Sequence, residues 1–196
     1  MSAGRKQQIL EVLARELESK PGLRLTTASL AQAVGVSEAA LYRHFPSKAK
    51  MFDALIDFAE NAVFGLIATI LAEQISAPTR CAQIGSVLLQ FAERNPGIAR
   101  ILIGDILLGE HERLRARVAQ FFERIEAQLR QILREAVASS TRPQPDRATV
   151  NAAANLVTAV IIGRIGLFVR SSFRLSPTAL WDDQWAMLER ALFSVN

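Results

Sequence analysis

Between Thr26 and Lys50 a glycine and a serine separate two short stretches with apolar faces, and few folds accept that order. The first stretch places Leu30 and Val34 at i and i+4, behind a Thr26 or Thr27 able to cap a helix. Gly35 can take the left-handed conformation that closes this helix, and Ser37 follows at once as the N-cap of a second helix, Glu38 to Phe45. Val36 and Leu41 are expected to fill the angle between the two, and the small Ala31 permits close approach. This spacing predicts a helix-turn-helix. Its second helix would span only about 12 Å, a length suited to a DNA major groove.

Upstream, Ile9, Val12, Leu13 and Leu17 recur at helical spacing between Gly4 and Ser19, opposite Arg5, Lys6, Glu11, Arg15, Glu16 and Glu18. This first helix, broken at Lys20-Pro21-Gly22, completes a three-helix head. Phe45-Pro46-Ser47 stops the third helix, because a proline disfavours the α conformation in the residue before it. Ser47 can then cap a long fourth helix reaching about Gln74, with apolar side chains on more than one face, as a connector between two units requires.

Further helices are expected over Thr79 to Arg94, Gly97 to about Leu108, Glu110 to Ala138, Ala148 to Ser171 and Leu180 to Ser194. Residues 139–147, polar with two prolines, read as a linker. The expected fold is therefore all-α, about nine helices: an N-terminal helix-turn-helix head, residues 1–50, joined by a long helix to a C-terminal helical dimerisation bundle, residues 51–196.

Composition agrees: half of the 196 residues are apolar, and Ala, Leu, Arg, Glu and Gln favour helix. One cysteine, with no signal-peptide pattern over Met1 to Gln8, argues for a reducing cytoplasmic setting without structural disulfides. With only two histidines besides, little is left for a metal site, and no cofactor is expected. The apolar run Ala152 to Val169 is interrupted by Asn155, Thr158 and Arg164, and reads as a buried helix rather than a membrane insertion. A net charge of +4 is compatible with a polyanion partner without requiring one.

After Leu41, Tyr42-Arg43-His44-Phe45-Pro46-Ser47-Lys48 sets donors, an aromatic plane and cations where the third helix ends and the fourth begins. Such groups contact phosphate, as do the unpaired amides of helices starting at Thr27 and Ser37. This string, following Gly35-Val36-Ser37 and preceding a long helix, resembles the signature of TetR-type transcriptional regulators. The resemblance implies a homodimer on palindromic double-stranded DNA. Tyr42, His44 and Lys48 would hold the backbone, Ser37, Ala39 and Arg43 would face the groove, and Thr26 and Thr27 would clamp phosphate. The alternative for Tyr42 and His44 is plain packing against the fourth helix.

Glu93-Arg94-Asn95-Pro96-Gly97 and the run from Phe122 to Glu135 narrow the resemblance to the nucleoid occlusion factors of that family. It implies association with the nucleoid and capture of the C-terminal tail of the division protein FtsZ, opposing Z-ring assembly. The tail surface would carry Phe58, Arg94 and Asn95, where an aromatic beside a cation suits a short apolar tail bearing acidic groups. Ordinary alternatives are a core role for Phe58, and for Arg94 and Asn95 a helix C-terminus with a left-handed Asn.

Leu156, Val160, Gly163 and Leu167 of the eighth helix, with Trp185, Leu188 and Leu192 of the ninth, form an apolar surplus around the small residues of Gly163-Arg164-Ile165-Gly166. They suit either a two-fold four-helix interface or an intrachain core. Enzymatic chemistry has no support: Glu110-His111-Glu112 are adjacent residues that point apart on a helix, and neither a glycine-rich phosphate loop nor a nucleophile elbow is found. Two other functions fit the same fold. One is a ligand-responsive repressor with a pocket near Phe64, Phe91 and Phe121, and the other a helical interaction module without DNA binding.

Overall fold

Side-chain caps decide where the first helices begin and end. The computed structural model describes residues 2–19, 25–107, 112–138 and 147–193. Among these are nine α-helices: α1 (Ser2–Ser19), α2 (Thr27–Val34), α3 (Glu38–His44), α4 (Lys48–Ala72), α5 (Ala77–Arg94), α6 (Pro96–Leu102), α7 (Glu112–Ala138), α8 (Arg147–Arg170) and α9 (Trp181–Phe193). The expected break at residues 20–24, the pair Glu110-His111 and most of the linker, residues 139–146, lie outside the described residues.

Thr26 caps α2: its hydroxyl accepts the Ser29 amide at 3.1 Å, and Ser29 Oγ accepts the Thr26 amide at 3.3 Å. Gly35 closes the helix at φ 75°, ψ 39°, letting the Val36 amide reach the Ala31 carbonyl at 3.0 Å. Ser37 Oγ then accepts the Ala40 amide at 3.2 Å and starts α3. The sixth helix is shorter than its apolar pattern suggests. Gly104 takes φ 76° beyond Leu102, and the chain continues as a 3-10 turn, Asp105–Leu107.

The chain divides into two compact units, Met1–Asn61 with Arg94–Val118, and Ala62–Glu93 with Ala119–Asn196. In the first, α1 packs on α2, α3 and α6, and Ile9, Leu13, Leu30, Leu41, Phe52 and Ile56 are fully buried. Two polar clusters hold it. Arg100, 2% exposed, donates from Nε to Asp105 Oδ2 at 2.6 Å and from Nη1 to the Leu17 carbonyl at 2.8 Å. Asp53 of α4 accepts from Lys50 at 3.1 Å, Arg113 at 3.1 Å and Arg117 at 3.2 Å. The first half of α4 and all of α6 thus pack with residues 1–50.

In the second unit the Phe121 ring meets Phe64 edge-on at 5.5 Å and Phe122 at 5.1 Å. Gly85 of α5 leaves room for the Trp181 indole, whose Nε1 donates to the Ala82 carbonyl at 3.3 Å. Glu93 accepts the hydroxyls of Ser176 and Thr178, and Arg164 donates to the carbonyls of Pro177 and Ala179. Two stretches, Lys48–Ala72 and Ala148–Arg170, are long and apolar enough to cross a membrane. In α8, however, one row (Ala154, Val157, Ile161, Ile165, Phe168) is buried within the chain, and of its large apolar side chains Leu156 and Leu167 are exposed.

Candidate functional site

The orientation of α3 follows from two apolar anchors. Leu41 and Phe45, four residues apart, are buried in the head at 0% and 7% exposure, which turns Ala39, Tyr42 and Arg43 outward. Tyr42 is 42% exposed and His44 is half-buried. Ser37 is exposed but its hydroxyl is occupied as the α3 cap. Thr26 is likewise exposed while capping α2, and Thr27 Oγ1 donates to Glu38 Oε2 at 2.8 Å, tying the first turn of α2 to that of α3. Lys48 Nζ donates to the Leu25 carbonyl at 3.2 Å and lies 5.8 Å from the Phe52 ring centroid. Lys6 stands 5.9 Å over the Phe45 ring. The eight residues singled out in the sequence therefore lie on or beside α2, α3 and the start of α4. Several of them already serve the local structure.

Beside α4's first turns, Asp53 carries a charge inside a cation cluster. Burial alone would raise its carboxyl, but the hydrogen bonds from Lys50 and Arg117 and the charge of Arg113 outweigh that and hold it below the usual carboxylate value. Arg117, also bonded to Asp57 at 2.8 Å and Glu60 at 3.1 Å, is held charged more firmly than a free arginine, its acidic neighbours outweighing burial.

A second surface lies on the same unit. Phe58 projects from α4 with 48% of its area exposed, and is not a core residue. It borders a cavity of about 130 Å³ shared with Leu10 and Ala14 of α1, Leu55 of α4 and Ile98 of α6, with Gln7, Glu11 and Asn95 as its polar members. Asn95 does not take the left-handed cap conformation: it precedes α6 at φ −132°, ψ 64°, and its carbonyl accepts the amides of Ile98 and Ala99 at 3.0 and 2.9 Å. Arg94, exposed, ends α5 immediately before it. Leu10 and Ala14 of α1 were not singled out in the sequence. The signal that locates them is their i, i+4 spacing, and neither is fully buried.

The residues expected at a dimer interface separate into two groups. Leu156 and Leu167 are 46% and 52% exposed, Val160, Gly163, Leu188 and Leu192 are half-buried, and open space lies beside Gly163. Trp185 is 6% exposed, its ring 5.9 Å from Trp181 within the same chain. Met187, 61% exposed on α9, was not singled out in the sequence. Of the aromatics considered for a ligand pocket, Phe64 packs on Phe121 and carries the Arg124 guanidinium 3.8 Å above its ring, and Phe91 is 8% exposed.

Most of the chain matches known families. Residues 9–55 match the family described as bacterial regulatory proteins, tetR family, and residues 76–193 match the SlmA-like family described as tetracyclin repressor-like, C-terminal domain. The chain is 51% identical over 189 residues to the nucleoid occlusion factor SlmA of Shewanella pealeana, covering 96% of this chain and 94% of that protein. It is 50% identical over 190 residues to the protein of the same name from Marinobacter nauticus, covering 96% of each. Among solved structures, the ketosteroid transcriptional regulator KstR2 of Mycobacterium tuberculosis superposes with TM-score 0.75 at 17% identity, covering 96% of this chain and 94% of that one. A TetR transcription regulator from Haloarcula marismortui superposes with TM-score 0.74 at 17% identity, covering 97% and 98%. These two likenesses concern the fold.

Proposed function

We propose a function from one premise, that the chain belongs to the SlmA family of nucleoid occlusion factors within the TetR-type regulators. It is a DNA-binding regulator and not an enzyme. In our reading, two copies bind palindromic sites on the chromosome through residues 1–50. Arg43 and Ser37 face the major groove, while Tyr42, His44, Lys48, Thr26 and Thr27 lie along the phosphates. Ala39 offers a small apolar contact there. So loaded, the protein sits on the nucleoid, captures the C-terminal tail of FtsZ at Phe58, Arg94 and Asn95, and opposes Z-ring assembly over DNA.

The observation that carries this reading is Phe58. An aromatic left 48% exposed beside a cavity has lost burial that a structural phenylalanine would keep, and such residues are the usual anchors of a peptide partner. The test is a titration of a labelled FtsZ C-terminal tail peptide against the full chain, with and without a DNA fragment that the chain itself selects from sheared chromosomal DNA. Binding that Phe58→Ala weakens at least about tenfold, a loss of about 1.4 kcal/mol, supports the reading. No saturable binding of the tail under either condition removes the division part of it. DNA selection with strong salt dependence supports the head's role independently.

A further inference from the structure

We infer that Lys50 of α4 and Arg113 of α7 form a seat for one phosphate group, and that the backbone of bound DNA fills it, so that α7 joins α2, α3 and α4 on the DNA. This rests on the reading of the head as the DNA-binding part.

The seat is a cavity of about 190 Å³ at the first turns of α4 and α7, lined by Ser47, Ala49, Lys50, Asp53, Arg113 and Leu114. Among the described residues Asp53 is the one acid that lines it. A single oxygen, Asp53 Oδ2, accepts from both Lys50 Nζ and Arg113 Nη2 at 3.1 Å, which brings the two cations within reach of one phosphate. The Asp53 side chain is 9% exposed, against 48% for Lys50 and 65% for Arg113. The carboxylate therefore lies beneath, and the cations face water.

Charge in this cluster is ordered along α4. Arg117 sits deeper and pairs with Asp53 Oδ1, Asp57 and Glu60 at 3.2, 2.8 and 3.1 Å. Lys50, Arg113 and Arg117 balance Asp53, Asp57 and Glu60 over the cluster as a whole, but Asp57 and Glu60 lie about one and two turns beyond Asp53. The surplus of positive charge thus stands at the end of α4 next to Lys48, which in our reading lies along the phosphates, and the surplus of acid at the other end. Arg117 with its acids already ties α4 to α7. Lys50 and Arg113 add exposed ion pairs, which stabilise little, so the fold has small need of them. A free small molecule would need more enclosure, since such sites run to roughly 300–1,000 Å³ and bury most of the ligand. A small seat with exposed cations suits a phosphate that the rest of a polymer carries to it.

The test is the salt dependence of DNA affinity, followed by fluorescence anisotropy on the full chain with the DNA it selects and with an unrelated duplex. One phosphate contact contributes a slope of about 0.9 in log affinity against log salt. Lys50→Gln combined with Arg113→Gln is expected to lower the slope by about 0.9 on both duplexes, and affinity by roughly fivefold to tenfold at about 0.1 M salt. Lys50→Arg combined with Arg113→Lys keeps both charges and should keep the slope. An unchanged slope in a folded glutamine variant overturns the inference, and it leaves the proposed function standing when Lys48→Ala still lowers the slope. An unaltered chain that binds no DNA takes the proposed function down first, and this inference with it. If the glutamine variant unfolds, acylation of lysines on the unaltered chain, read by mass spectrometry, decides: DNA must protect Lys50, and equal labelling with and without DNA overturns the inference. Pyrophosphate in place of DNA is the second arm. Labelling of Lys50 that pyrophosphate lowers and DNA leaves unchanged gives the seat to a free phosphate and overturns its assignment to DNA.

Discussion

The Lys48 ammonium donates to the carbonyl of Leu25 at 3.2 Å, joining the first residue of α4 to the chain that enters α2. One cation therefore steadies the base of the helix-turn-helix and adds charge beside Thr26, where the first amides of α2 lack helical partners. The ammonium is a compact point charge, and its field acts on a phosphate beside it whatever its hydrogen-bond partners. Lys48→Ala is expected to weaken binding to specific and nonspecific DNA by a similar factor, and to reduce the slope of log affinity against log salt by about one. Lys48→Arg should restore most of the slope. A loss confined to the specific site would instead place Lys48 in base recognition.

Gly35 offers a measurement on the turn alone. At φ 75° it lies in the left-handed region, and no atom comes within 4 Å of a Cβ built there, so any penalty comes from the backbone and not from crowding. Gly35→Ala is expected to lower unfolding free energy by about 1–2 kcal/mol. Gly35→Asn should lose less, because asparagine tolerates this conformation. Urea denaturation followed by circular dichroism checks both, and equal losses would mean that shape, not backbone conformation, decides the position.

Much of this head was legible because its signals are local. Thr26, Gly35 and Ser37 act within four residues of where they stand, through caps and one left-handed residue. Long-range pairings were not legible. Arg100 reads as an ordinary polar residue on α6, yet it is buried because its acceptor, Leu17, lies 83 positions earlier. Asp53 and Arg117, 64 positions apart, are equally silent in the sequence. Periodicity also cannot say which apolar face meets its own chain and which meets another: Trp185 and Leu167 look alike in the pattern, but they are 6% and 52% exposed. The early end of α6 depended on the conformation of Gly104, which a single glycine does not announce.

The Asp53 cluster makes stability depend on acid. Its carboxyl is held below its ordinary value of 3.8, so the folded chain binds fewer protons there than the unfolded chain does. The stabilisation is then complete above the unfolded value and is lost as pH falls through the lower folded value. Asp53→Asn should reduce unfolding free energy at neutral pH by about 1.5–3 kcal/mol, since hydrogen bonds to a charged group are lost. The gap between the two proteins should close on titration to about pH 2. Thermal melts across that range are the check, and a gap that stays constant would mean that Asp53 acts by packing and not by charge.

Phe58 and Phe52 lie on the same helix and should part company on substitution. Phe52 is fully buried, whereas Phe58 is 48% exposed. Phe52→Ala is expected to destabilise by about 3–5 kcal/mol, the usual range for a buried aromatic. Phe58→Ala should cost less, about 1–2 kcal/mol, because roughly half of its area stays in water in the folded chain. Denaturant midpoints at constant m-value separate the two. A large loss on Phe58→Ala would return that residue to the core and leave the tail surface without its anchor.

Leu156 and Leu167 stand about three turns apart on α8, both half exposed, with open space beside Gly163 between them. That combination suits a second copy of α8 crossing closely at the glycine, with leucines closing on either side. Trp185 answers to a different force: it is held by Trp181 and by its own chain. Leu167→Glu is therefore expected to leave the melting temperature of the chain nearly unchanged while sedimentation shows a monomer. Its affinity for a palindromic site should drop by about 100-fold or more, as the second head no longer binds as part of the same molecule. Trp185→Ala should lower stability by about 3–5 kcal/mol, through lost packing before any change in assembly. The converse result, a dimer that survives Leu167→Glu and dissociates on Trp185→Ala without loss of stability, would move the interface from α8 to α9. It would also leave the exposed leucines of α8 to some other partner.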